Sequence, residues 1–129
     1  MKGKLRMAKN NNTNNDIFNM NALELAKWLN KNYMEEIPTH LENAEDLKKA
    51  GVLLGKLTNI YSYIMSMLTY AQLEVKEKKK ISAKKEEINE CISRRDVLNN
   101  FSLIIKMQYT AISRMITVKK QVDDEFKML

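Results

Sequence analysis

The side chains in this chain with the most evident capacity for chemistry are cations. Lys76, Lys78, Lys79, Lys80, Lys84 and Lys85 crowd one short stretch, Arg94 and Arg95 follow a few turns later, and Arg114 interrupts the most apolar part of the C-terminal third. Clustered cations can neutralise phosphates without reading a base sequence, and binding of that kind weakens steeply with salt. Interleaved with Glu77, Glu86 and Glu87, the same lysines also suit a solubilised, exposed turn. Arg114 either pairs with an acid such as Glu42, Glu45 or Asp46 or faces a partner.

The remaining reactive residue types point away from catalysis. His40 is the only histidine and stands beside Pro38, so a catalytic pair with the single cysteine, Cys91, is not expected. At a helical position among Glu90, Ile92 and Ser93, Cys91 reads as a packed thiol. Carboxylates gather at Glu35-Glu36, Glu86-Glu87 and Asp123-Asp124-Glu125, but the Glu-x-x-His pairs with which helical bundles hold two metals do not occur. Nor is there a glycine-rich phosphate loop, a His-Glu-x-x-His, a Cys-x-x-Cys or a nucleophile elbow. The expectation is a protein that is not an enzyme, holds no metal or cofactor, and works by binding. Lys76, Lys78, Lys79, Lys80, Lys84, Lys85, Arg94, Arg95 and Arg114 are its candidate contacts to a partner or to nucleic acid.

Composition sets the frame for these residues. With 129 residues, 44% of them hydrophobic, the chain can bury one core, and 3 glycines with 1 proline leave too few turn formers for a sandwich or barrel. The formal charge of +6 is concentrated before residue 20 and between 71 and 95, which is compatible with a nucleic-acid partner. A lone thiol argues for a reducing compartment. The basic N-terminus runs into asparagines instead of the apolar core of a secretion signal. The apolar-rich stretch 52–73 is broken by Lys56, Asn59, Ser62, Ser66 and Gln72, a poor membrane span. A cytoplasmic protein without membrane contact is therefore expected.

Hydrophobic spacing supplies the elements. Residues 1–17, rich in asparagine, read as a flexible basic tail, and 18–129 as a single helical domain. A short helix is predicted over about 20–33, capped by Asn19 or Asn21, with Leu25, Trp28, Leu29 and Tyr33 on one face, and Pro38 forbids its continuation. From Asn43 a long helix runs to about 79, its apolar positions stepping by three and four from Leu47 through Leu57 and Ile64 to Val75, with Leu53, Ile60 and Met67 as a second stripe. A turn is placed at 80–84, where Ser82 can cap a third helix over about 83–126. That helix carries Ile88, Ile92, Leu98, Phe101, Ile105, Ile112, Met115 and Ile116 on its main face, and Val97, Ile104, Ala111 and Val118 as a second stripe. Folding back at the turn lays the apolar block 52–73 against 97–118, an all-α antiparallel hairpin. One unbroken helix from 43 to 126, roughly 125 Å long, is the competing arrangement. The small residues Ala50, Gly51 and Gly55 mark a position where a second helix could approach closely, and the apolar excess on both long helices predicts a homodimer or higher oligomer.

Tyr61-Ser62-Tyr63-Ile64 with Leu68, then Arg94-Arg95-Asp96-Val97-Leu98, then Ser113-Arg114-Met115-Ile116-Thr117, form a pattern over about residues 45 to 127. In it the chain resembles small uncharacterised helical proteins encoded in the early or replication regions of phages of Gram-positive bacteria. The resemblance implies action inside a bacterial host cell. It also implies either an inhibitor or adaptor that binds a host protein complex handling nucleic acid, of anti-defence type, or an accessory protein that binds nucleic acid directly in phage recombination or replication. It carries over no site residue.

Overall fold

A computed structural model describes residue 17 and residues 19–128. Among the described residues the fold shows the helices α1 (Ala22–Tyr33), α2 (Ala44–Lys80) and α3 (Lys85–Met128), a helical segment before α1 at Ile17 and Asn19, and no strand. The predicted tail lies outside the described residues except at Ile17, which is helical and fully buried, so the core begins one residue inside the segment assigned to the tail.

Each start is set by local chemistry. Asn21 forms a capping box with Glu24: its side chain accepts from the Glu24 N–H, while the Glu24 carboxylate accepts from the Asn21 N–H. The next unpaired donor, the Ala22 N–H, is satisfied by the carboxylate of Glu90 on α3, which pins the start of α1 to the hairpin. At the other end, Trp28 meets Tyr33 edge-on with ring centroids 5.3 Å apart, and Tyr33 meets Tyr63 of α2 at 6.0 Å. Burial raises both the Tyr33 and Tyr63 phenols above their ordinary pKa. Asn43 caps α2 by accepting from the Asp46 N–H, and Asp46 in turn accepts from the Glu42 N–H. Lys56 and Glu35, 2.9 Å apart, then fasten the connector to the flank of α2.

α2 and α3 form the predicted antiparallel hairpin. Leu57, Ile64, Leu68, Ala71 and Val75 of α2 are buried, and so are Leu98, Phe101, Ile105 and Ile112 of α3. Each fully buried leucine or isoleucine contributes roughly 1.5–3 kcal/mol relative to exposure. The ion pairs Glu74–Arg94 (3.1 Å) and Lys78–Glu87 (3.3 Å) place those blocks in register, since paired positions sum to nearly the same number. Leu25 and Leu29 of α1 cover one flank of this core and are themselves buried.

Two local expectations need correction. Ser82 does not cap α3; it is the left-handed residue (φ 54°) that ends α2. Its N–H donates to the Lys79 carbonyl and the Ala83 N–H to the Lys78 carbonyl, a Schellman arrangement in which glycine is the usual occupant. The chain therefore reverses without glycine by tolerating about 1 kcal/mol of backbone strain. Ser82→Gly is expected to raise the unfolding free energy by about 0.5–1 kcal/mol, read as a higher urea midpoint; an unchanged or lower midpoint would argue against a strained turn. The second correction concerns Gly51 and Gly55, where an added Cβ meets nothing within 4 Å. No helix approaches them, because both lie on the solvent side of α2.

Candidate functional site

The hairpin sorts the predicted cations by environment. Lys76, Lys79, Lys80, Lys84 and Lys85 are exposed at or beside the turn. Lys78 is half-buried and paired with Glu87. Arg95 donates through Nε (3.2 Å) and one terminal nitrogen (3.1 Å) to a single oxygen of Asp96. Arg114 is exposed far down α3, beside a shallow hollow with Tyr109, Thr110 and Thr117, and forms no ion pair among the described residues.

Arg94 stands apart, at 8% exposure inside the hairpin. One terminal nitrogen donates to Glu74 at 3.1 Å and the other to the Ile17 carbonyl at 3.5 Å, while Nε is buried without a partner among the described residues. This guanidinium joins α2, α3 and the chain just before α1, and acts as a packing and bridging group. Its spacing carried the signal. Cys91, Arg94, Leu98, Phe101 and Ile105 step by three and four along one face, so position 94 falls in the core stripe. Gln108 sits in the same stripe, also buried, with its amide nitrogen 3.4 Å from the Met34 sulfur and its oxygen without a partner.

Next to Arg94 the Cys91 thiol is buried, and burial, followed by the nearby Glu74 charge, pushes its pKa up against the opposing pull of Lys78 and Arg94. A raised value means that the fold favours the neutral thiol. The resulting stability is present below the unfolded-state pKa and is lost as pH rises through the folded one. At neutral pH Cys91 should therefore react with a thiol reagent at least about tenfold more slowly in native than in denatured protein; equal rates would contradict its placement.

Apart from these groups, the surface holds an apolar feature. α1 has only 12 residues and ends beside Gln108, so among the described residues none covers the adjoining flank of α3 further down. Ile104 (38% exposed), Met107 (70%), Val118 (56%) and Val122 (41%) share that flank with exposed Ala111 at steps of three, four and seven. The second stripe predicted for α3 is thus buried only in part at Val97 and faces outward at Ile104, Ala111 and Val118. The buried stripe runs one residue over, through Leu98, Ile105 and Ile112.

No protein-family model, curated protein or solved structure matches the chain. Among the described residues, no group of three or more His, Cys, Asp or Glu is placed to hold a metal ion, and no helix is long and apolar enough to cross a membrane.

Proposed function

We propose that the chain is a non-enzymatic, phage-type helical binding protein, an inhibitor or adaptor that engages a host protein complex handling nucleic acid from within the bacterial cytoplasm. The observation that carries this reading is the uncovered strip of α3 from Ile104 to Val122. It extends for about 27 Å at the helical rise and is about as wide as a helix. Such a patch reaches the size, about 300–600 Å², of the largest on a typical monomer, a patch that is often functional.

Its occupant in this reading is a second copy of the chain, because a straight strip on one helix is complementary to itself when two copies cross antiparallel, and such contacts close into a dimer. A paired α3 would complete the bundle that α1 is too short to complete. The dimer then offers the remaining charged surface, including Lys80, Lys84 and Lys85 at each tip, to the host complex.

Light scattering on the purified protein is expected to return twice 15.1 kDa, falling to one chain in Met107→Glu/Val118→Glu with helicity retained. Immobilised protein is expected to capture a defined host complex from a Gram-positive lysate. A monomer that recovers no host protein would overturn the proposal.

A further inference from the structure

The hairpin has one long face that α1 and the connector leave bare. Both meet the hairpin on its opposite side, through Glu90 and Gln108 of α3 and through Tyr63 and Lys56 of α2. On the bare face α2 presents Thr69, Gln72, Lys76 and Lys79, which line one groove together with Arg95 of α3. The α3 row continues through Asn99, Lys106, Ser113 and Lys120, spaced by seven. Neither row contains a carboxylate. Of the acids of this part of the hairpin, Glu74 turns to Arg94, Glu90 to α1 and Glu87 to Lys78, while Glu77 lines the adjoining groove with Lys76 and Lys80, outside the row. Asp96, at the edge of the row, holds Arg95 in an exposed pair of the kind that contributes little and is readily exchanged for a stronger anion.

We propose that this face binds the phosphate backbone of double-stranded nucleic acid without regard to sequence. A row of cations uninterrupted by acids gives a continuous positive potential, and a phosphate backbone is the linear polyanion that matches it. The choice of a duplex follows from spacing and residue type. Arg95 with Lys76 and Lys79 forms one cationic group, and Lys106 stands about 16 Å further along α3 at the helical rise, enough to reach across a major groove about 12 Å wide to the second backbone. Single-strand binders instead stack successive bases on aromatic rings; no aromatic residue lines the groove of Lys76, Lys79 and Arg95, and Tyr109, which shares a hollow with Ser113, lies beyond Lys106. The Thr69 hydroxyl donates to the Met65 carbonyl of its own helix, so the donors between the cations are the exposed amides of Gln72 and Asn99. Arg94, buried, takes no part.

The α3 strip and this face lie on different sides of the helix, so duplex binding can fail while dimerisation stands, and the reverse. The test is fluorescence anisotropy of a labelled duplex of mixed sequence with full-length protein, between about 50 and 200 mM salt. Four phosphate contacts, from Lys76, Lys79, Arg95 and Lys106, predict a log–log slope of about −3.5, or roughly a hundredfold loss of affinity over that range. Lys76→Ala and Lys106→Ala should each reduce the slope by about 0.9, whereas Lys27→Ala on α1 should leave it unchanged; circular dichroism confirms that each variant is folded. The proposal is overturned by absence of duplex binding at low salt, by preference for the single strand, or by folded Lys76→Ala and Lys106→Ala variants that keep the full slope. It is equally overturned if polyglutamate binds this face while the duplex does not.

Discussion

Truncating the seam at its centre, Ile64→Ala or Ile105→Ala, is expected to remove about 3–4 kcal/mol of unfolding free energy. Both side chains are fully buried, one on each long helix, within the same core cluster as Leu57, Leu98 and Ile112. Each truncation loses the transfer energy of three carbons and leaves a cavity that neighbours fill only in part, because helices packed along their whole length cannot close locally without shifting register. Against a total of about 5–15 kcal/mol for a domain of ordinary stability, that is a large fraction. Urea unfolding followed by circular dichroism measures it; a loss below about 1 kcal/mol at both positions would mean that the seam is not the core. The mirror substitution Val52→Ala, on the solvent side of α2, should change stability by no more than about 0.5 kcal/mol.

The second large effect concerns Arg94, where shape and charge separate. Arg94→Ala removes the stem that packs beside Leu98, leaves Glu74 without its donor and leaves the Ile17 carbonyl to the Met20 N–H, and is expected to cost about 2–3 kcal/mol. Arg94→Met keeps the volume and abolishes the buried, partly unsatisfied guanidinium. Replacement of a buried ion pair by an apolar group of similar size is often neutral or favourable, so this variant should lie within about 1 kcal/mol of the parent. Glu74 is partly exposed and can be rehydrated when the arginine is lost, which keeps its share of the penalty small. The decisive comparison is between the two midpoints. If Met proves as damaging as Ala, the charge itself holds the hairpin to the segment before α1, and Arg94 is more than a bridge. If neither variant shifts the midpoint, the buried pair with Glu74 does not form.

Much of this architecture was legible from residue spacing. Period-3.5 apolar runs on both sides of residues 81–84 define two helices, Asn21 and Asn43 mark where α1 and α2 begin, and the matching apolar blocks give their register. The route of the turn was less legible, because its left-handed position is occupied by Ser82, whose side chain equally suits a helix start. Arg94 misleads by residue type: a guanidinium next to Arg95 reads as surface, although its position in the Cys91–Leu98–Phe101 stripe places it inside. On α3 the stripes 97/104/111/118 and 98/105/112 differ by one residue: the second, the expected main face, is buried in the seam with α2, whereas the first is covered only as far as α1 reaches. That reach is a tertiary fact, set by Pro38 and by the anchoring of Ala22 to Glu90. The bare cationic face emerges in the same way, once α1 is known to lie on the opposite side.

Reversal of the chain at residues 81–84 within one protomer underlies both proposed surfaces, and an intramolecular distance measures it directly. Spin labels at Lys48→Cys and Lys120→Cys in a Cys91→Ser background, diluted with unlabelled protein, report the separation of two exposed positions that the hairpin sets level with each other. Helices packed at 8–10 Å with label arms added require a distance of about 15–25 Å. A continuous helix would hold the labels about 108 Å apart, and the absence of any short intramolecular distance would contradict the hairpin and both faces assigned to it.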